Sequence, residues 1–304
     1  MGKTVRETIK EIVRVHLVEE KSMCFGQCLT AVGWVGGTLP ELYEEDGMIE
    51  VATSDVANGG FVVGAGLKGI RPIYVVRYQG FQWYNAPIIV NYACKSKEIW
   101  DVPCPIFIRS IAMEGAIGPV AGSSHHSLFQ RMPGSKIISP MTPNEYKYAY
   151  NEFMKDNDVY YISEHRKSYD NSEELHNVIN KNSDFTLFPI SITRFDAEKA
   201  RLILEKEGYK INIIHQLWIK PFLFKDEWKE ALNRSKYGGM VLDDDYEEGV
   251  ASSIAHTMMI AANKKVHTMG LDHRTAGFHP DTDNLPPTPE AIVEKVKLII
   301  NEKL

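Results

Sequence analysis

EVATSDVANGGFVVGAGL, residues 50–67, decides how this chain is read. A short β-branched run ends at Ser54-Asp55, and a helix-like stretch follows that carries Gly59, Gly60, Gly64 and Gly66. Each glycine inside a helix costs about 1 kcal/mol against alanine, so their retention asks for a structural reason. With Ala57 and Ala65 beside them, they leave one helix face nearly bare, which permits close approach of another backbone or a ligand. Asp55 stands where the strand ends and the helix begins, where an acid interacts favourably with the helix dipole and should stay ionised.

The same strand-then-helix unit recurs outward in both directions. MIEVATS, RPIYVVRY, CPIFIRSI, KIISP and VYYISEH read as strands, with helices at 57–68, 84–99 and 144–155, and an amphipathic charged helix at the N-terminus. Residues 169–184 are polar and rich in Asn, Ser and Asp, with too few apolar side chains for a core element, and they read as a linker. Beyond them the alternation resumes: strand FTLFPISIT, helix FDAEKARLILEKEG, strand INIIHQLWI, helix KDEWKEALNRS, strand GGMVLDD, helix GVASSIAHTMMIAAN and strand VHTMGL. A last helix is announced by Thr288-Pro289-Glu290, a cap followed by proline in the first turn. The expected architecture is α/β in two domains, 1–168 and 185–304, each a mostly parallel sheet flanked by helices.

A chain of 304 residues with 44% apolar content has enough material for two cores. The net charge of −6 is spread along the sequence without a basic stripe, which argues against nucleic acid as a partner. No apolar run approaches the roughly 18 to 20 residues of a membrane span, and the N-terminus lacks the pattern of a signal sequence, so a cytoplasmic protein is expected. Cys24, Cys28, Cys94 and Cys104 read as reduced, mostly buried thiols, because a lone C-x-x-x-C lacks the second pair of a zinc site.

Two further stretches carry candidate chemistry. VVRYQGFQWYNAP, residues 75–87, brings Tyr78, Phe81, Trp83 and Tyr84 to the end of a strand, as core or as a stacking platform for a flat ligand. IAMEGAIGPVAGSSHHSLFQRMPG, residues 111–134, is a Gly/Ser-rich loop displaying His125, His126 and Arg131, suited to acid/base or anion-binding work better than to a metal. Asp243-Asp244-Asp245 reads as a charged strand-to-helix turn, Glu45-Asp46-Gly47 as a turn, and no glycine-rich phosphate cradle is present.

In this order the pieces resemble the beta subunit of the first component of 2-oxoacid dehydrogenase complexes, and the C-terminal half of transketolase. The likeness is carried by the strand–Ser–acid–glycine helix at 51–67, G-x-R-P at 69–72, N-x-A-x-K at 91–95, the His-Ser pair leading to P-G-x-K-x-x-x-P at 133–140, and P-P-T-P-E-x-I-V-E at 286–294. The resemblance implies a pyrimidine-binding domain of a thiamine diphosphate enzyme followed by a transketolase C-terminal domain. It gives Asp55 the acid that bonds the cofactor's aminopyrimidine, Phe81 the ring packed on it, and Ser54 and Gln27 places beside it. His126 and His125 become the substrate-side acid/base candidates, with His125 and Arg131 binding substrate. It further implies an alpha-type partner that holds the diphosphate and Mg²⁺, in a heterotetramer of two of each chain, acting on a 2-oxoacid or, alternatively, a ketose. A third reading is a structural subunit that has lost the proton relay. Three departures from the family stand out: aspartate for the usual glutamate, shorter by about 1.5 Å, a histidine loop about five residues shorter, and Leu128 for glutamine.

Overall fold

The computed structural model describes residues 2–113, 122–275 and 284–302, which form two compact units, the first comprising 2–113 and 124–174 and the second 122–123 together with the described residues from 175 onward. The Gly-rich part of the histidine loop, 114–121, lies outside the described residues.

The first unit is a parallel sheet flanked by helices. Its strands are β1 (Cys24–Gly26), β2 (Met48–Glu50), β3 (Ile73–Val76), β4 (Ile106–Ala112), β5 (Ser135–Ile138) and β6 (Val159–His165), in the order β2-β1-β3-β4-β6-β5. Every neighbouring pair among these six is parallel. Strands β3, β4 and β6 are buried along their whole length, which is why they read as continuous apolar runs without alternation. The helices are α1 (Val5–Val18), α2 (Asp55–Leu67), α3 (Gln82–Ile88), α4 (Cys94–Trp100), α5 (Ser127–Gln130) and α6 (Pro143–Lys155). A capping box starts α1, Thr4 Oγ1 accepting from the Glu7 N–H at 3.2 Å while the Glu7 carboxylate accepts from the Thr4 N–H at 2.8 Å. The helix foreseen at 84–99 is interrupted: Pro87 removes one donor, and a π-helical turn at Ile89–Ala93 joins α3 to α4.

The four glycines of α2 divide into two pairs. A methyl group on Gly59 would lie 3.2 Å from the Asn85 Cβ of α3, and one on Gly66 would lie 2.7 Å from Cys104 Sγ, so these two admit close packing within the unit. Gly60 and Gly64 have nothing within 4 Å of that position among the described residues and leave an open strip beside the exposed Val56 and Phe61. The bare face foreseen from sequence is therefore only half of the glycine pattern.

The second unit holds β7 (Phe185–Pro189), β8 (Ile211–Ile213), β9 (Trp218–Lys220), β10 (Gly239–Tyr246) and β11 (Val266–Leu271) with α7 (Thr193–Lys206), α8 (Asp226–Arg234), α9 (Val250–Ala262) and α10 (Pro289–Asn301). Its sheet runs β11-β10-β7-β8, all parallel. Leu187, Ile213, Met240, Leu242, Leu204 and Val296 are among the buried side chains of its core. INIIHQLWI is not one strand. β8 ends at Ile213 and β9 starts at Trp218, and between them the His215 N–H donates to the Asn177 side-chain Oδ1 at 2.9 Å. Asp243, Asp244 and Asp245 are likewise not a turn: all three lie within β10, buried, with Asp243 Oδ1 accepting from the Asp244 N–H at 2.8 Å. Among the described residues no helix is long and apolar enough to cross a membrane. All four cysteines are free thiols, three of them buried and Cys28 exposed.

Candidate functional site

In an open parallel sheet, ligands bind beyond the carboxyl ends of the strands, and the first unit gathers its candidate residues there. Gln27 directly follows β1, Ser54 and Asp55 follow β2, Tyr78 to Phe81 follow β3, and His165 and Arg166 close β6. His125 and His126 return from β4 at the start of α5.

Asp55 is the first residue of α2 and is half-buried. Burial raises its carboxyl pKa above the ordinary aspartate value, against the pull of the Gln27 amide and of its own backbone N–H. Ser54 holds the N-cap position without a side-chain capping bond. Gln27 sets its amide toward the Asp55 carboxylate, and that contact pulls the Asp55 pKa down against burial. Behind Asp55 stands the buried Tyr74, whose hydroxyl accepts from Asn85 Nδ2 at 3.2 Å. Burial first, and the Asp55 charge second, raise the Tyr74 pKa. Gln82, next to Phe81, is fully buried with neither amide atom partnered.

Phe81 is half-buried, its ring 5.9 Å from that of Tyr78. The two histidines differ in setting. His126 is fully buried, and its Nδ1 lies 3.0 Å from Ser163 Oγ. His125 is half-exposed and meets Trp83 edge-on, the rings 6.1 Å apart. One residue that the sequence reading passed over ties this loop to the sheet. Gln79 accepts the His125 backbone N–H at 2.6 Å and donates to Ser163 Oγ at 2.9 Å and to the Ser110 carbonyl at 3.2 Å. Tyr161 donates to Ser110 Oγ at 3.0 Å. A neutral glutamine among aromatics and serines inside strands carry no sequence signal of such a role. Arg131 is exposed at the end of α5, where its backbone N–H donates to the Phe129 carbonyl and its side chain makes no ion pair or hydrogen bond among the described residues.

A second buried group underpins the same sheet edge. Arg109 of β4 and Glu164 of β6 form a bidentate pair at 2.7 and 3.0 Å, with Thr38 at 3.1 Å from the guanidinium and Tyr169 donating to Glu164 at 2.8 Å. Burial works against the Arg109 charge, but Glu164 outweighs it and raises the guanidinium pKa.

Comparison with known proteins agrees with this architecture. The family described as "Transketolase, pyrimidine binding domain" matches residues 10–171. The 2-oxoisovalerate dehydrogenase subunit beta of Bacillus subtilis is 25% identical over 71% of this chain and 71% of its own. The acetoin:2,6-dichlorophenolindophenol oxidoreductase subunit beta of Cupriavidus necator is 25% identical over 84% of this chain and 81% of its own. Among solved structures, one titled as a split gene transketolase, inactive beta4 tetramer, superposes with a TM-score of 0.75 at 16% identity, covering 100% of both chains.

Proposed function

Because the chain belongs to the transketolase pyrimidine-binding-domain family, we propose that it is the beta-type subunit of a two-component thiamine diphosphate enzyme that cleaves or forms a carbon–carbon bond next to a carbonyl. The observation that carries the reading is the half-buried Asp55 carboxyl with the Gln27 amide set against it at the carboxyl edge of the sheet. Such a pair suits a flat ring bearing both donors and acceptors, as an aminopyrimidine does, and Phe81 offers it an aromatic face. Thiamine diphosphate, when bound, supplies the carbon nucleophile that adds to a carbonyl and takes up the resulting charge.

Asp55 holds a proton at a ring nitrogen of the aminopyrimidine; its raised pKa brings the carboxyl closer to what a proton-exchanging group needs near neutrality. Ser54 and Gln27 line the same ring. On the substrate side, His125 is the half-exposed group able to exchange protons or meet an anion, while buried His126, fixed on Ser163, orients the loop. Arg131 is the proposed carboxylate or phosphate contact. The diphosphate and Mg²⁺ fall to an alpha-type partner, in a heterotetramer of two of each chain. We favour a 2-oxoacid as substrate, in keeping with the naming of the Bacillus relative; the alternative is ketol transfer on a sugar.

The test uses the chain with its partner chain. Turnover of pyruvate, 2-oxoisovalerate and acetoin is followed with dichlorophenolindophenol, and a ketose is offered with an aldehyde acceptor. Asp55→Ala is expected to lower the rate by about 10²-fold or more, the usual scale of general acid/base contributions. An unchanged rate would establish the non-catalytic, structural reading instead.

A further inference from the structure

A groove of about 350 Å³ lies within the first unit, with Trp83, Pro87 and Val90 on one wall, Leu128 and Met132 on the other, and Lys95 at one end. Its volume is at the lower end of small-molecule sites, and its lining is mostly apolar, as theirs is. The local backbone is specialised. Pro87 interrupts the helix ladder, and the π-helical turn that follows, closed by the Cys94 N–H on the Ile89 carbonyl, turns the consecutive residues Val90 and Asn91 onto the same groove. Single π turns of this kind recur at functional sites. Trp83 is 58% exposed although an indole of this size is usually well covered.

Among the lining residues Lys95 carries the one charge, and Asn91 Oδ1 holds its ammonium at 3.0 Å, which leaves further N–H donors for an anion. From Trp83 to Lys95 the wall runs about 18 Å along the helix axis. We infer that this groove is a binding site for a small amphipathic organic acid, its apolar body between Trp83, Val90, Leu128 and Met132 and its carboxylate on Lys95. The inference goes beyond the proposed reaction and does not depend on it. The Trp83 indole meets the His125 ring at the far end, so an occupant lies directly beside the histidine loop.

The test is a fluorescence titration of the full chain with octanoate and, as a neutral probe of the same length, 1-octanol. Trp83 is one of five tryptophans, so its signal is isolated by difference against Trp83→Phe, a change at an exposed position. Octanoate is expected to give a saturable change that is absent in Trp83→Phe. Lys95→Met is expected to weaken octanoate about fivefold, the scale of a half-exposed ion pair, and to leave octanol unchanged. Failure to saturate, or the same signal in Trp83→Phe, overturns the site. Equal binding of both probes with no effect of Lys95→Met also overturns it, in favour of an apolar face for a protein partner.

Discussion

At the scale of single residues, the site rests on buried neutral groups more than on charges. Tyr74 and Asn85 lie under the α2–α3 contact, and Asn85 already has one amide atom, Oδ1, without a partner. Tyr74→Phe would strand its Nδ2 as well, and an unsatisfied buried donor costs about 1–3 kcal/mol. The urea midpoint should fall accordingly, whereas an exposed control such as Tyr92→Phe should leave it unchanged. The acid, the aromatic ring and the paired histidines were legible in the sequence because charge and aromaticity stand out beside strand ends. Gln79 and Ser163 were not. Their chemistry is ordinary, and only the parallel pairing of β4 with β6, which sets Ser110 beside Ser163, brings them together with the loop.

At the scale of elements, most strands and helices follow from the apolar pattern, and the misses have local causes. Strand β1 escaped notice because Cys-Phe-Gly is three residues long and shows neither alternation nor β-branching; it is a strand through its pairing with both β2 and β3. The aspartates of β10 escaped because acidic residues are rarely fully buried, yet here Ser191 Oγ donates to Asp244 Oδ2 at 2.9 Å and the Asp244 N–H donates to Asp243 Oδ1 at 2.8 Å. For α2 the two glycine pairs make opposite predictions. Gly60→Ala and Gly64→Ala should each stabilise the isolated chain by roughly 0.5–1 kcal/mol through helix propensity, because nothing occupies the added methyl's place. Gly59→Ala and Gly66→Ala should destabilise it through clash with Asn85 and Cys104. Chemical denaturation of the four variants separates the two pairs. If the open strip is where the partner chain sits, the first two should also weaken assembly.

At the scale of the whole chain, buried histidines set the response to acid. Burial pushes His16, paired with the Tyr150 hydroxyl at 2.9 Å, down to about 4, and His165 down to about 3. Both are depressed relative to the unfolded chain, which therefore binds more protons once the pH falls below about 6.5. Stability is fully present above that value and is lost on acidification, by about 1.4 kcal/mol per pH unit for each histidine, down to about pH 4 for His16 and pH 3 for His165. Urea midpoints measured from pH 7 to 4 should show this slope, and His16→Gln should flatten it. The central pairing of β4 with β6 has a kinetic side as well. Ile106 meets Val159 only after the intervening chain has closed, and such non-local parallel pairing is slow. Until then IFIRSIA and VYYISEH are exposed apolar segments prone to aggregate, and Arg109 and Glu164 carry charge into each of them. The pair that meets inside the native sheet is thus a pair of gatekeepers on the way to it. The double change Arg109→Met with Glu164→Leu, which the native state should tolerate far better than loss of one partner alone, is expected to scatter light on refolding at concentrations where the parent chain stays clear.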